Sequence, residues 1–218
     1  MGLDVAAMRA SIRRHGLIPT LQRSLLSRAR RIVDFEICRV ECDSGEPFAW
    51  PDAVGYETRM VGEAEFHEYL CDELRGADYR WAFARGDVCA ASFRSGELVG
   101  YAFFSSLPTR VRDGIAFMFP PNYVYSYAST TARSHRGRRL SRDFWKTARR
   151  YRVSVEGRDP KSIWYVDVGN LESRAAIKAM GLENTFIGYT AYVRIGRRFQ
   201  IFNSAGCRRT GAGFISTS

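Results

Sequence analysis

The stretch "ARSHRGRRLSRDFW", Ala132 to Trp145, gathers Arg133, Arg136, Arg138, Arg139 and Arg142 around one glycine, Gly137. Helical spacing begins in the same stretch. Leu140, Phe144, Ala148 and Tyr151 fall on one face, and Arg142, Lys146, Arg149 and Arg150 fall largely on the other. A helix start leaves backbone N–H groups unpaired and carries a partial positive charge, so an anion placed there accepts several hydrogen bonds. Three chemistries fit these residues: a nucleic-acid patch, a solvated basic helix start, and a loop that holds phosphate. For the third, the spacing predicts a helix from about Gly137, with the glycine clearing the anion's approach. The loop is not a Walker loop, which needs G-x-x-x-x-G-K, nor the three-glycine dinucleotide fingerprint.

The elements that must position this loop sit in a chain of 218 residues with a formal charge of +10. Such a balance favours anionic partners: nucleic acid, phosphorylated cofactors or anionic lipid. Cys38, Cys42, Cys71, Cys89 and Cys207 form no CxxC pair or Cys/His cluster, so reduced thiols are expected and a metal is not. With no apolar run of membrane-spanning length and no leader-like apolar segment, a cytoplasmic protein is expected.

Residues 1–34 read as a basic helical arm. Up to Val33 they hold seven arginines against one acid, Asp4, with Leu17, Leu21, Leu25 and Ile32 roughly on one face. Gly16 and Pro19 break the pattern, predicting two short helices. The arm packs on its own domain or on a second subunit, or lies on an anionic membrane at its inner face. "FEICRVEC" and "YETRMV" read as strands, "DSGEPFAWPDAVG" as a loop, and "GEAEFHEYLCDEL" as a helix burying Phe66, Leu70 and Leu74. "DVCAASFRSGELVGYAFFSS" is a hairpin turning at Arg94 to Glu97. "PPNYVYSYASTT" is a strand with Tyr123, Tyr125 and Tyr127 on one face and Val124, Ser126 and Ala128 on the other. "SIWYVDVG" is a buried strand. "NLESRAAIKAMG" is a helix between Asn170 and Gly181, and "TFIGYTAYVRIG" and "RRFQIFN" are closing strands. The loop "RVRDGIAFMFPPN" offers Phe117, Met118 and Phe119 as an acceptor or acyl wall, and residues 204–218 read as a loose tail.

This order of elements, with "SHRGRR" at Ser134 to Arg139, "VDVGNLESRAAIKAMGL" at Val166 to Leu182 and "VGYA" at Val99 to Ala102, resembles the GCN5-related N-acetyltransferase (GNAT) superfamily. The resemblance covers roughly residues 56 to 203, within a domain expected over 35–203. It implies an α/β (α+β) fold: a central mixed, mostly antiparallel sheet with splayed strands, flanked by helices. It also implies acetyl-CoA, or another acyl-CoA, as co-substrate. The backbone near Ser129 and Thr131 would meet the pantetheine arm. The loop of His135, Arg136, Gly137, Arg138, Arg139 and Leu140 would hold the pyrophosphate, and Asn170 and Ser173 would contact the pantetheine or stand near the thioester. The sequence departs from the family pattern at Ser134 (usually Gln or Arg), Arg139 (usually Gly or Ala), Ile177 (often a tyrosine acid) and Leu182 (usually Phe).

Transfer to an amine needs a base and a donor for the thioester oxygen. Tyr127 as acid or polariser and Asp167 as base are the candidates, each set against plain strand packing or pairing with an arginine. The expected reaction is direct acetyl transfer to an amine of a small metabolite or sugar precursor. Long-chain acyl-CoA or acyl carrier protein as donor is one alternative, and a non-catalytic CoA- or anion-binding regulator is another. Nucleic acid is not an expected partner, because no aromatic–basic recognition motif accompanies the arginines.

Overall fold

The computed structural model describes residues 5–43, 51–157, 159–179, 186–196 and 198–217. The arm forms α1 (Val5–His15) and α2 (Leu17–Ala29). Gly16, at φ 87°, separates them, whereas Pro19 lies in the first turn of α2, where its missing N–H breaks no helical bond. There follow β1 (Phe35–Cys42), β2 (Glu57–Val61), α3 (Glu63–Tyr69), α4 (Arg80–Ala84), β3 (Val88–Arg94), β4 (Glu97–Ser105), β5 (Thr109–Arg112), β6 (Ile115–Met118), β7 (Tyr123–Thr131) and α5 (Leu140–Glu156). The chain closes with β8 (Lys161–Asp167), α6 (Leu171–Ala179), β9 (Phe186–Ile195), β10 (Arg198–Asn203), α7 (Ala205–Thr210) and β11 (Gly213–Ser216). The class is mixed α/β with mostly antiparallel strands, as expected. Gly181 and Leu182, and residues 44–50 of the expected loop, lie outside the described residues.

The chain divides into two compact units that cut across the expected boundaries at 34 and 203: Met1–Glu41, Arg110–Met118 and Tyr165–Ser218 form one, and Cys42–Thr109 with Phe119–Trp164 the other. In the second, β2, β3, β4 and β7 pair antiparallel in that order. The β3–β4 turn at Ser95 and Gly96 has φ of 51° and 84°, the positive pair of a tight hairpin. β8 pairs parallel with β7 through Tyr123–Lys161, Val124–Ser162 and Tyr125–Ile163, and β7 continues to Thr131 beyond that ladder. Phe66 and Leu74 of the segment after β2 are buried with Tyr101 and Phe103. The helix expected to carry Leu70 ends at Tyr69, because Leu70 turns extended and bridges Leu98. α5 buries Leu140, Phe144 and Ala148, and also Arg152 and Lys146, the latter expected on its polar face. Lys146 lies beside Asp143 (3.3 Å) and is bonded to Asp52. Arg152 is bonded to Glu156 and to the Phe104 carbonyl (3.3 Å), so neither charge is buried alone.

In the first unit, β9 pairs antiparallel with β1 and with β10. The segment expected as a loop forms β5 and β6, and Phe117 is fully buried against Tyr165 and Phe214 instead of lining an acceptor wall. The tail expected to be loose forms α7 and β11, the latter paired with β6. Ser204 caps α7, accepting a hydrogen bond from the Cys207 N–H, and Gly211 ends it in the left-handed conformation. Thr190, Asn203 and Phe214 close a buried set of hydrogen bonds: Thr190 Oγ1 donates to Asn203 Oδ1 (2.6 Å), Asn203 Nδ2 to the Phe214 carbonyl (3.0 Å), and the Phe214 N–H to Thr190 Oγ1 (2.8 Å).

Tyr192 in this unit donates to Glu36 Oε2 (3.0 Å) and accepts from Arg112 (2.8 Å). Burial, reinforced by the Glu36 carboxylate and opposed by Arg112, pushes its phenol up to about 12. Below pH ~10, the ordinary phenol value, both folded and unfolded forms keep the proton and Tyr192 adds no pH dependence. Above it the unfolded chain ionises first, so stability falls as pH rises through the folded value, by at most about 1.4 kcal/mol per pH unit from this residue. Urea midpoints should therefore decline more gently above pH ~10 in Tyr192→Phe than in the parent chain. Equal slopes would show that Tyr192 ionises as freely when folded.

Candidate functional site

The basic loop follows β7 directly, and the strand that delivers it is irregular. Tyr127 stands opposite Phe103 and Thr130 opposite Tyr101, so Ala128 and Ser129 together face Ala102. This is a β-bulge, with Ala128 at φ 52°. The expected alternation holds for Tyr125 and Tyr127, whose rings stack 5.4 Å apart, and it fails at Ala128. A positive φ on a residue with a side chain is uncommon; Ser95, Ala128 and Arg139 have one. Two of these flank the loop, and such outliers cluster at sites of function.

Beyond Thr131 the Ala132 N–H donates to the Val99 carbonyl (2.9 Å) and the Arg133 N–H to the Glu73 carboxylate. A 3-10 turn, Arg133–His135, precedes the helix, which starts at Leu140 and not at Gly137. The difference moves the donors. The His135 N–H is engaged by the Ala132 carbonyl (2.9 Å) and the Arg136 N–H by that of Arg133 (3.4 Å), so these two expected phosphate donors are used within the loop. Among the described residues, the N–H groups of Gly137, Arg138, Arg139 and Leu140 carry no hydrogen bond, and α5 has no side-chain cap. Gly137 is at φ 78°, and nothing lies within 4 Å of where a Cβ would stand. Arg139 holds the left-handed conformation at φ 65°, a strain of about 1–2 kcal/mol for a residue with a side chain.

Side chains fix the loop in place. Arg136 Nε donates to the Thr131 carbonyl (3.1 Å), and His135 Nδ1 shares a hydrogen bond with the Tyr56 hydroxyl (3.0 Å). Among the described residues no carboxylate lies in ion-pair range of Arg133, Arg136, Arg138 or Arg139. Burial and the neighbouring Arg139 charge hold the Arg142 guanidinium below its ordinary value, a repulsion that a bound anion would relieve. The one acid of the first helical turn, Asp143, accepts from the Ala53 N–H (2.9 Å) and lies beside Lys146. The loop thus presents free backbone donors with a surplus of positive charge, an arrangement that can accept an anion.

Tyr127 donates its hydroxyl proton to Asp87 (2.5 Å), which also accepts from Arg85 (2.5 Å). Arg85 reaches on to Ser105 (3.1 Å) and Thr109 (3.0 Å), and Trp81 stacks on the Tyr127 ring at 5.8 Å. Burial first, then the Asp87 carboxylate, pushes the Tyr127 phenol far up. Tyr127 therefore holds its proton in a bond to Asp87, which leaves it unable to act as the expected acid while that bond holds. Asp87, Arg85 and Trp81 were not anticipated, since an "ARGD" turn carries no distinguishing pattern.

Ser129 and Thr131 lie on β7 in the same unit as the basic loop, whereas Asp167, Asn170 and Ser173 belong to the other unit. Asp167 is held by Arg30 and accepts from the Gly169 N–H (2.7 Å), so the expected base is already ion-paired. Asn170 and Ser173 bond to each other: the Ser173 N–H donates to Asn170 Oδ1 (3.0 Å), which caps α6. Ligand atoms of Glu36, Cys38 and Asp167 lie within 4.8 Å of one another. Cys38 donates its S–H to Glu36 (3.4 Å), and burial with the nearby carboxylates pushes its thiol up, which suits a hydrogen-bonded cluster better than a thiolate metal ligand. Glu36 and Asp167 line a pocket of about 690 Å³ with Arg23, Asn170 and Tyr192.

No family model and no curated protein matches the chain. Solved structures do. A tandem GNAT protein from the clavulanic acid biosynthesis pathway is 16% identical with a TM-score of 0.48, covering 83% of this chain and 58% of that one. A GNAT-family protein of Novosphingobium aromaticivorans is 12% identical, TM-score 0.48, covering 79% and 67%. An acetyltransferase of Colwellia psychrerythraea is 14% identical, TM-score 0.44, covering 78% and 56%. All three are GNAT proteins. The chain spans little more than half of the first GNAT structure.

Proposed function

We propose that this chain is a GNAT-type acyltransferase that binds an acyl-CoA, with acetyl-CoA as the default donor and an amine as acceptor. The observation that carries this reading is the uncapped start of α5. Free N–H groups from Gly137 to Leu140, an unobstructed glycine and unpaired guanidiniums meet at the end of a strand that outruns its parallel neighbour. These residues hold the pyrophosphate, Arg138 and Arg139 adding charge to the backbone donors. The pantetheine arm lies along β7 beyond Tyr125, near Ser129 and Thr131. The bulge at Ala128 interrupts the ladder with β4, and a backbone N–H of this stretch would serve the thioester oxygen.

Bound acyl-CoA supplies the activated acyl group and its own leaving thiolate. The acceptor amine attacks the thioester directly, with no acyl group passing to the protein. Asp87 and Tyr127, locked together, position the acceptor side, and Tyr127 keeps its proton. The small-metabolite or sugar-precursor acceptor, and a longer acyl-CoA or acyl carrier protein as donor, are refinements of the same site. A non-catalytic CoA binder is favoured by one specific observation: Tyr127 and Asp167 are both engaged, and Ile177 replaces the family's frequent tyrosine.

Calorimetric titration with acetyl-CoA, adenosine 3',5'-bisphosphate and longer acyl-CoAs tests the reading, followed by thiol release across an amine panel. Micromolar acetyl-CoA binding, much weaker binding of the bisphosphate and thiol release with an amine are expected. Binding without thiol release from any amine would make the chain a binder, and no binding of any CoA species would overturn the proposal.

A further inference from the structure

One face of α2 packs on the protein through mixed residues: Thr20 is buried, donates to the Gly16 carbonyl (2.8 Å) and shares a hydrogen bond with Ser11 (3.1 Å), and Leu26 is half-buried beside Gly169. Arg23 pairs with Glu172 (2.9 Å), and Arg30, just past the helix end, pairs with Asp167. The apolar stripe points the other way. Leu17, Ile18, Leu21 and Leu25 are exposed by 54%, 69%, 43% and 63%, and Ile32 beyond the helix by 86%. Burying large aliphatic side chains is favourable, and this row is left in water. Among the described residues, Arg9, Arg13, Arg14, Arg28 and Arg31 have no carboxylate in ion-pair range. Among the described residues no helix is long and apolar enough to span a bilayer, which leaves contact from one side.

We propose that α2 is a membrane-contact face. Its leucine stripe enters the headgroup–acyl boundary of an anionic bilayer, and the unpaired arginines of α1, α2 and Arg31 bind lipid phosphates. The charge selects this occupant. A second copy of the chain would bring two sets of unpaired arginines together with no acids between them. An acidic protein would answer the arginines but would also need a groove shaped to the stripe, whereas lipid answers both without preformed shape. The inference does not depend on the acyltransferase reading.

The full chain is sedimented with phosphatidylcholine vesicles and with vesicles that also contain phosphatidylglycerol. Binding only to the anionic vesicles, weakening as salt rises, is expected. The Leu21→Glu/Leu25→Glu variant should lose at least about tenfold of that binding, because each charge at the interface opposes insertion. Its thermal midpoint should stay unchanged or rise, since both side chains are exposed. The Arg9→Gln/Arg13→Gln/Arg14→Gln variant should weaken binding through charge alone. Vesicle binding that ignores these changes, or no anionic binding, would overturn the proposal. So would a parent-chain dimer in sedimentation equilibrium that Leu21→Glu/Leu25→Glu abolishes, or titration showing that acyl carrier protein binds where vesicles do not.

Discussion

If the α5 start holds CoA as proposed, Gly137→Glu should lose CoA affinity by about two orders of magnitude, roughly 2.7 kcal/mol, while the fold survives. Three features combine at this position. The φ of 78° is easy for glycine and strained for glutamate, and the space where a Cβ would stand is empty. The neighbouring N–H groups from Gly137 to Leu140 carry no protein partner. A glutamate would put bulk at the approach to those donors and a negative charge where a pyrophosphate belongs. Gly137→Gln separates the two effects, since it brings the same bulk and strain without the charge, and should lose about tenfold. Calorimetry of all three chains at two salt concentrations reads the difference, which should shrink as salt rises. Thermal midpoints of the two variants should agree with each other, because both carry the same backbone strain. Parent-like CoA affinity in Gly137→Glu would remove the loop from the site.

Gly206→Ala should destabilise the chain by about 3 kcal/mol or more, lowering the melting midpoint by roughly 6–12 °C. A Cβ at Gly206 would stand 1.9 Å from the Ile187 carbonyl oxygen, a backbone atom of β9 that cannot rotate away. Relief requires α7 to lift from β9. That movement uncovers Cys207 and strains the Thr190–Asn203–Phe214 hydrogen bonds that hold β11. Gly76→Ala is the control: its Cβ would meet nothing within 4 Å and its φ is ordinary. Calorimetric melting of both variants decides. A Gly206→Ala midpoint equal to that of Gly76→Ala would mean that α7 is not packed as described.

The parts of the fold that were legible in the sequence are those where one residue type has one physical use. The Ser95–Gly96 turn, the tyrosine row as far as Tyr127 and the capping of α6 by Asn170 all follow from local chemistry. The bulge was hidden because Ala128 adopts its positive φ without the glycine that normally announces one. Lys146 read as solvent-facing because its compensating partner Asp52 comes from distant sequence. The C-terminal helix and strand escaped notice for a related reason. "SAGCRRTGAGF" looks like a loop by composition, yet a Ser204 cap and a Gly211 stop were there to be read. At the candidate site, charge and glycine pointed to the loop, but its free N–H groups lie further along the chain than expected because a 3-10 turn takes up the amides of His135 and Arg136.

The interleaving of the two units sets an order of birth. One unit is complete in sequence by Trp164, whereas the other draws on an opening segment, a short insertion and everything from Tyr165 on, including β11 at Gly213–Ser216. At a ribosomal pace of about 5–20 residues per second, the unit with the basic loop has a head start of several seconds. During that interval β1 and β6 have emerged without the strands they will pair with, β9 and β11. The nascent chain therefore carries unpaired strand edges while the other unit is already complete in sequence, and it is at this stage of synthesis that a chaperone would matter most to its yield.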